Sequence, residues 1–154
     1  MTLLVNKLTF NVFQHETEEK SKIFTGLKRI FPEELQDTMD KLFKEDVIIG
    51  YHKNKIIKYN LELKKNKETQ RIFINLLRKL LKSCSYFDLF DRISDNGELF
   101  IRLNKQDLIK GSIRLDDSSD VYKIVAKFLF FNKKVDKVNE IYNFLKEIPL
   151  EWNY

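Results

Sequence analysis

The sequence predicts an α+β fold, a two-layer sandwich in which helices pack on one face of a mainly antiparallel sheet. Segments of alternating hydrophobic and polar residues, typical of strands, lie between segments of helical periodicity. Their order shows no regular βαβ alternation, which argues against a parallel sheet. Gly and Pro are scarce, with 4 and 2 residues respectively, so long flexible linkers are not expected.

A single domain over residues 1–154 is expected from the chain length. Hydrophobic residues form 43% of the chain and include 13 Phe, which is enough for a sizeable core. Cys84 is the only cysteine, which excludes an internal disulfide and favours a reducing compartment. No apolar run reaches the roughly 18 to 20 residues that cross a bilayer. We therefore expect a cytoplasmic protein with no membrane partner.

The beginning of the chain predicts a strand followed by two helices. Residues 3–13 are rich in Leu, Val and Phe and predict the strand. Thr17 is the expected N-cap of the first helix, which has two glutamates in its first turn. Pro32 suits the first turn of a second, shorter helix that runs to about Phe43.

A hairpin and the clearest helix follow. Residues 46–63 alternate apolar and polar side chains and predict a β-hairpin that turns at Lys53-Asn54. Residues 67–83 place their apolar side chains in one broad arc and predict an amphipathic helix.

The second half of the chain predicts further strands and a last helix. The segment 86–93 has two interpretations, the first arm of a hairpin before the tight turn at Asp95-Asn96-Gly97 or a ragged helix end. The other expected elements are a strand at Glu98–Asn104, a short turn through Lys105–Lys110, strands at Ser112–Leu115 and Val121–Phe131, and a helix at 134–147.

Basic residues concentrate in the middle of the chain. Between Tyr51 and Lys82 there are ten Lys/Arg and two acidic residues, so this stretch nets +8 while the whole chain nets +5 and the rest −3. A one-sided basic surface is the electrostatic feature expected of a protein that binds a polyanion. The alternative is a lysine-rich solvated face that serves solubility.

The cations of the 67–83 helix are expected on one ridge. At 100° per residue they fall within about 60° of one another, over a length of roughly 22 Å. The ridge comprises Lys67, Arg71, Arg78 and Lys82. With the cations of the preceding hairpin, it predicts one exposed basic patch.

No motif specifies an enzyme or a cofactor. Two histidines and one cysteine cannot assemble a Cys/His zinc site, and no Gly-rich phosphate loop is present. His15-Glu16 begins like a zincin helix, but Glu19 stands where the second histidine would be. We therefore expect no catalytic residue, no metal site and no cofactor. A hydrolase or nuclease that uses His15 with a nearby glutamate is the enzymatic alternative.

Several segments together resemble one protein family. They are His15-Glu16-Thr17-Glu18, Gly50-Tyr51-His52-Lys53-Asn54, the strand motif from Leu99 to Gln106, and Gly111. The pattern resembles the archaeal RNA-binding proteins proposed as exosome-associated subunits, covers most of the chain, and is most specific in the run FIRLNKQDLIKG. The resemblance implies a fold like that of the ribosomal protein that carries five-S RNA. It also implies RNA as the ligand, with exosome or ribosome-related proteins as partners.

The family motif adds two candidate residues and shows two departures. Lys53 stands where the family usually has Gly in its hairpin, and Asn104 where it tends to have Asp. Arg102 either offers a bidentate fork to phosphate or pairs with an acid such as Glu98. Lys105, at the end of a strand, is expected to contact phosphate.

The sequence therefore predicts a noncatalytic protein that grips structured RNA through a basic surface, as an accessory to RNA processing or degradation. Without an aromatic stacking motif, contact led by RNA shape is favoured over sequence readout. The alternative is a protein-interaction adaptor whose basic face docks an acidic partner. The expected RNA-binding residues are Lys53, Lys55, Lys58, Lys67, Arg71, Arg78, Lys82, Arg102 and Lys105.

Overall fold

Five strands form one antiparallel sheet in the computed structural model, which describes residues 3–148. The strand order is β2-β3-β1-β5-β4, and each neighbouring pair is antiparallel. The first strand therefore lies at the centre of the sheet, as the predicted α+β class allows. The strands are β1 (Leu4–Gln14), β2 (Lys44–Ile49), β3 (Lys55–Lys64), β4 (Glu98–Asn104) and β5 (Val121–Leu129).

Four α-helices accompany the sheet within the described part of the chain. None of the helices in residues 3–148 has the length and apolar character needed to span a membrane. The helices are α1 (Lys20–Lys28), α2 (Lys67–Leu80), α3 (Lys105–Lys110) and α4 (Lys137–Lys146).

Several connecting segments differ from the sequence predictions. The segment after Pro32 forms two 3₁₀ helices, at Glu33–Leu35 and Met39–Leu42, rather than one short helix. Lys105–Lys110 forms α3 instead of a turn. Ser112–Leu115 contributes only an isolated bridge to β4 rather than a full strand. These segments are short, so a small change in hydrogen bonding decides their class.

The segment before β4 has features of both structures predicted for it, a helical stretch and an arm that pairs with the next strand. Tyr86–Arg92 forms a 3₁₀ helix that begins with a capping box between Ser85 and Asp88. A tight turn with Gly97 then returns the chain, and one bridge joins Ile93 to the following strand.

Helix α1 begins later than predicted. Thr17 lies in a turn, and Glu19 occupies the N-cap position without a side-chain capping bond. The Glu18 N–H donates to the His15 carbonyl at 3.0 Å, and the His15 N–H donates to the Glu18 carboxylate at 2.9 Å. These two bonds fold residues 15–18 into a turn, so the helix starts only after it.

Side-chain alternation places the core on one face of the sheet. In β1, Leu8, Phe10 and Val12 are buried, whereas the residues between them are half-buried. Helices α1, α2 and α4 cover this face. Ring contacts across the interface join Phe24 to Tyr59 at 5.0 Å, Phe73 to Phe128 at 5.5 Å, and Phe128 to Phe144 at 5.9 Å.

Helix α2 is fastened to the sheet at its first turns. The Asn66 side chain caps the helix by accepting from the Thr69 N–H at 2.8 Å. A β-bulge after Val5 interrupts the pairing of β1. The Gln70 side chain makes two bonds there, accepting from the Val5 N–H at 2.8 Å and donating to the Val5 carbonyl at 2.7 Å. The glutamine thus satisfies backbone groups that would otherwise be buried without partners.

Close packing of α1 on β5 requires a glycine. The buried Tyr122 hydroxyl donates to the Ile23 carbonyl at 2.7 Å, which fixes its position beneath the helix. A Cβ added at Gly26 would lie 2.3 Å from that hydroxyl oxygen. Any side chain at position 26 therefore forces Tyr122 or the helix to move.

We expect Gly26→Ala to destabilise the protein by about 1–2 kcal/mol. Overpacking of this kind typically costs about 1–3 kcal/mol, and the better helix propensity of Ala returns at most about 1 kcal/mol. Urea unfolding of G26A, Y122F and the double variant measures the effect. Y122F removes the nearest clashing atom and leaves a ring carbon at 2.8 Å as the closest one, so G26A should be less harmful in that background. An equal loss in both backgrounds would contradict the clash.

Candidate functional site

The structure separates the cations that the sequence placed in one patch. Lys58 lies on the sheet face opposite the helices, because its neighbour Tyr59 points into the core. Helix α2, with its basic ridge, lies on the other side. Lys53 and Lys55 sit at the hairpin tip, roughly 30 Å from Lys67 across the length of β3. The expected single patch is therefore not formed.

The ridge of α2 is also not uniformly available. Arg71 pairs with Glu34, and Arg78 is half-buried. Lys67 is exposed at the first turn, and Lys82 is exposed just after the last turn. Only the two ends of the ridge therefore present free cationic side chains to solvent.

The hairpin tip is exposed and conformationally unusual. Lys53 has a φ of 63°, in the left-handed region where a side chain costs about 1–2 kcal/mol. This is the position at which the resembled family has Gly. Tyr51 is 96% exposed, and its ring lies 5.0 Å from that of His52.

Lys105 is a buried hub rather than an exposed contact for phosphate, which corrects the expectation from the sequence. Its side chain is 3% exposed. The ammonium donates to the Phe13 carbonyl at 2.7 Å, to the Glu18 carboxylate at 3.2 Å and to the Asp120 carboxylate at 2.6 Å. An ammonium has three N–H donors, so these acceptors use its full capacity.

The same cluster holds the group of described side chains that could share a metal ion. His15, Glu18 and Asp120 place ligand atoms within 4.8 Å of one another. The His15 Nε2 atom is 3.3 Å from the Asp120 carboxylate. However, the Lys105 ammonium already bonds both carboxylates, and a divalent ion would meet this buried like charge. We therefore assign the cluster a structural role.

Two other residues of the family motif stabilise the ends of α3. The Asn104 side chain caps α3 by accepting from the Asp107 N–H at 2.8 Å. Gly111 ends α3 with a φ of 109°, which only glycine adopts without strain.

Burial, with a smaller effect of Asp88, raises the pKa of Cys84 to about 11, so this thiol is a poor nucleophile at neutral pH.

We expect Lys105→Met to destabilise the protein by about 3 kcal/mol, at the lower end of the range for breaking a buried pair because Asp120 is half-exposed. The substitution keeps an unbranched side chain only one atom shorter but leaves Glu18 without its counter-charge. Lys110→Met, at the exposed end of the same helix, is the control and should change stability by less than about 0.5 kcal/mol. Chemical denaturation of both variants measures the difference. Identical midpoints would show that the ammonium does not hold the cluster together.

The side of the sheet away from the helices carries a second set of polar residues. We call it the open face. Its cations outnumber its carboxylates by seven to three. The cations are Lys7, Lys44, Lys58, Lys64, Arg102, Lys123 and Lys127, and the carboxylates are Asp46, Glu62 and Glu98.

Strand register arranges these residues in rows across the sheet. One row crosses all five strands without a carboxylate, over roughly 19 Å at about 4.8 Å per strand. It consists of Lys44, Asn60, Asn11, Lys123 and Arg102. A second row, towards the other end of β1, consists of Lys64, Lys7, Lys127 and Glu98.

Like charges are direct neighbours within both rows. Arg102 lies opposite Lys123, and Lys7 lies between Lys64 and Lys127. Like charges directly opposite each other destabilise a sheet. Lys7 approaches Glu62 at 3.4 Å, but the other lysines of the open face have no ion pair within the described residues. The stability of the sheet therefore does not explain this surplus.

Arg102 does not form, among the described residues, the ion pair with an acid that was one of its two expected roles. It does not pair with Glu98 within the described chain, and instead its Nη2 atom donates to the Ser118 carbonyl at 2.8 Å. Its Nε atom is enclosed without a hydrogen-bond partner among residues 3–148. The guanidinium is thus held in place beside Lys123 with part of its donor capacity unused.

The centre of the open face adds apolar and amide groups. Phe100 is 40% exposed and lies opposite Val125. The Asn11 and Asn60 side chains bond to each other at 3.2 Å. Sequence reasoning missed most of this surface, because it counted charge along the chain. The usable signal was strand alternation, which assigns every second residue of β1, β4 and β5 to the side opposite the core.

Comparisons with known proteins relate the chain to RNA-binding proteins. Residues 7–128 match the model of a family described as RNA binding. An uncharacterized protein of Methanocaldococcus jannaschii is 30% identical over 146 residues, which cover 90% of this chain and 95% of that protein. An RNA-binding protein of Pyrococcus abyssi is 26% identical over 140 residues, which cover 88% of this chain and 90% of that protein.

Solved structures share the fold. A protein of Methanothermobacter thermautotrophicus gives a TM-score of 0.72 at 22% identity, covering 92% of this chain and 98% of that one. A protein of Archaeoglobus fulgidus gives a TM-score of 0.71 at 25% identity, covering 92% and 99% of the two chains. The sheet with helices on one side is therefore an architecture that other proteins have as well.

Proposed function

We propose that this chain, which belongs to the RNA-binding family, grips structured RNA through the open face of its sheet. RNA is the partner that family membership supports, and the surface that contacts it is our inference. In this proposal the protein is noncatalytic. The phosphates of the RNA lie along the rows of cations, and Phe100 and the Asn11–Asn60 pair meet the sugar or base edges between them.

The observation that carries this proposal is the row of cations without carboxylates. Phosphate contacts supply most of the affinity of proteins for nucleic acids, and each contact releases counterions. Arg102 and Lys123 lie side by side without an acid between them. A phosphate placed above them would offset their mutual repulsion and form charge-assisted bonds with both side chains.

A broad, five-stranded surface fits shape-led contact with structured RNA. Structured RNA is recognised mainly through phosphates and 2′-hydroxyls, with little base readout in its deep groove. The hairpin tip extends from the sheet next to the open face. Exposed Tyr51 and His52 could there stack on an unpaired base, a contact worth about 1–3 kcal/mol.

An accessory role in RNA processing or degradation is part of the proposal. The resemblance to proteins proposed as exosome-associated supports it, as does the absence from the sequence of a recognisable catalytic motif. We place the protein in the cytoplasm, in contact with RNA and with exosome or ribosome-related proteins. The adaptor alternative, with the basic face docked on an acidic protein, uses the same cations but needs no RNA.

We expect the variant K64Q/K123Q to lose RNA affinity while keeping or gaining stability. Each lost phosphate contact lowers the slope of log K against log salt by roughly 0.7–0.9, so two contacts lower affinity roughly 10- to 50-fold at 0.1 M salt. Both lysines face a like-charged neighbour, so their removal should stabilise the sheet by a few tenths of a kcal/mol. Fluorescence anisotropy at several salt concentrations and thermal melting measure the two effects.

The matched control for this variant is K133Q/K134Q. It removes two exposed lysines from the turn before α4, outside the rows of the open face. Its RNA affinity should stay within about twofold of wild type. An unchanged salt slope for K64Q/K123Q would remove the open face from the RNA interface.

We expect partners of the tagged protein to be lost on nuclease treatment. In the proposed role, RNA bridges the protein to processing machinery, so degrading the RNA releases that machinery. Affinity purification with and without ribonuclease, followed by mass spectrometry, measures this. Partners retained after nuclease treatment would favour the adaptor alternative. Cleavage of end-labelled RNA by the purified protein with Mg²⁺ would contradict the noncatalytic part and revive the hydrolase alternative.

A further inference from the structure

A second basic surface lies on the helix-covered side of the sheet. The C-terminal ends of α1, α2 and α3 converge there on an open groove of about 670 Å³. The charged side chains that line it are all cationic, and Gln36 and Ser83 add polar atoms. These cations are Lys28, Arg29, Lys79 and Lys82.

Helix capping explains two of the four cations. The Lys79 ammonium donates to the Arg29 carbonyl at 2.7 Å, just beyond the end of α1. The Arg29 guanidinium donates to the Ile109 carbonyl in α3 at 3.1 Å. Cations are favoured at helix C-termini because the last carbonyls are unsatisfied. Lys79 and Arg29 therefore have sufficient structural reasons to be where they are.

The other two cations also lie at helix ends, Lys28 in the last turn of α1 and Lys82 just after α2, but neither bonds a helix carbonyl in the described part of the chain. Lys28 and Lys82 make no ion pair or side-chain hydrogen bond within residues 3–148. Burial lowers the pKa of Lys79, and the charge of Lys82 lowers it further. Glu33, which does not line the groove, acts in the opposite direction. Four unit positive charges line the groove, whereas each of the three helix ends contributes only about −0.5, so a net positive charge remains.

We propose that this groove is a second phosphate-binding site, separate from the open face, that takes backbone phosphates from another segment of the bound RNA. The inference rests on the proposed function for the identity of its ligand. Lys28 and Lys82 would form charge-assisted bonds to phosphate oxygens, and the Gln36 amide, which donates one N–H to the Phe31 carbonyl, has a second N–H for a further bond. The two surfaces lie on opposite sides of the sheet, so one RNA contacts both only if it folds around the domain.

Titration with inorganic pyrophosphate tests the groove without RNA. We expect the wild-type chain to bind one pyrophosphate at low salt, measured by calorimetry, and K28Q/K82Q to bind it about tenfold more weakly. The control K133Q/K134Q removes the same charge elsewhere and should stay within about twofold of wild type. Equal affinity in wild type and K28Q/K82Q, or an equal loss in the control, would overturn the site.

Amide NMR of the wild type provides a second measurement in case K28Q/K82Q folds poorly. Pyrophosphate should shift the amide signals of residues 25–29, 79–83 and 111–113, which surround the groove. Shifts confined to other parts of the chain would overturn the site in the native protein.

Structured RNA then identifies the source of the phosphate. K28Q/K82Q should bind it about 5- to 10-fold more weakly, with a shallower salt dependence. Pyrophosphate binding with unchanged RNA affinity would overturn the assignment to RNA, and the groove would be a site for a free phosphate compound. Loss of RNA binding in K28Q/K82Q but not in K64Q/K123Q would instead contradict the open face, so the two proposals can fail separately.

Discussion

The buried ammonium of Lys105 is the interaction on which the placement of the helices depends. It bonds the end of β1, the turn before α1 and the turn before β5, and the lysine itself begins α3. A buried charge is tolerated only with well-placed partners, so this cluster permits one arrangement of four distant segments. It holds the starts of α1 and α3 side by side. Their other ends consequently meet, where Arg29 reaches the carbonyl of Ile109.

A sheet that is covered by helices on one side leaves its other side accessible to a ligand. Because most apolar residues of the inner strands point to the helices, the residues between them are available for another purpose. Solubility alone would be served by mixed charges, which attract one another across strands. The arrangement of Lys64, Lys7 and Lys127 instead puts three like charges together. Such a sheet gives up some stability, and an anionic ligand is the simplest compensation.

Local periodicity in the sequence was sufficient to predict most helices and strands, but not to predict which charged residues lie together in the fold. β4 has the predicted bounds, Glu98–Asn104, because its alternation is uninterrupted. Lys105 resembled an exposed lysine at a strand end, since one of its acceptors, Glu18, is 87 residues away and no local pattern reveals it. The pairing of Arg102 with Lys123 depends likewise on strand register. The sequence does concentrate positive charge in residues 51–82. In the fold, however, the outward side chains of a strand lie on one side of the sheet and the helix that follows packs on the other side, so these charges do not form one surface.

The centre of the open face is where any preference for particular bases would arise. The Asn11 amide donates to the Asn60 side-chain oxygen, which leaves the oxygen acceptor of Asn11 and both N–H donors of the Asn60 amide outside this bond. A paired donor and acceptor of this kind matches the edge of a base, whereas lysines contact phosphates of every sequence alike. The amides lie between Lys44 and Lys123 in the same row. Phosphate contacts on either side would therefore position the RNA, and the amide pair would read only a base that is already unpaired.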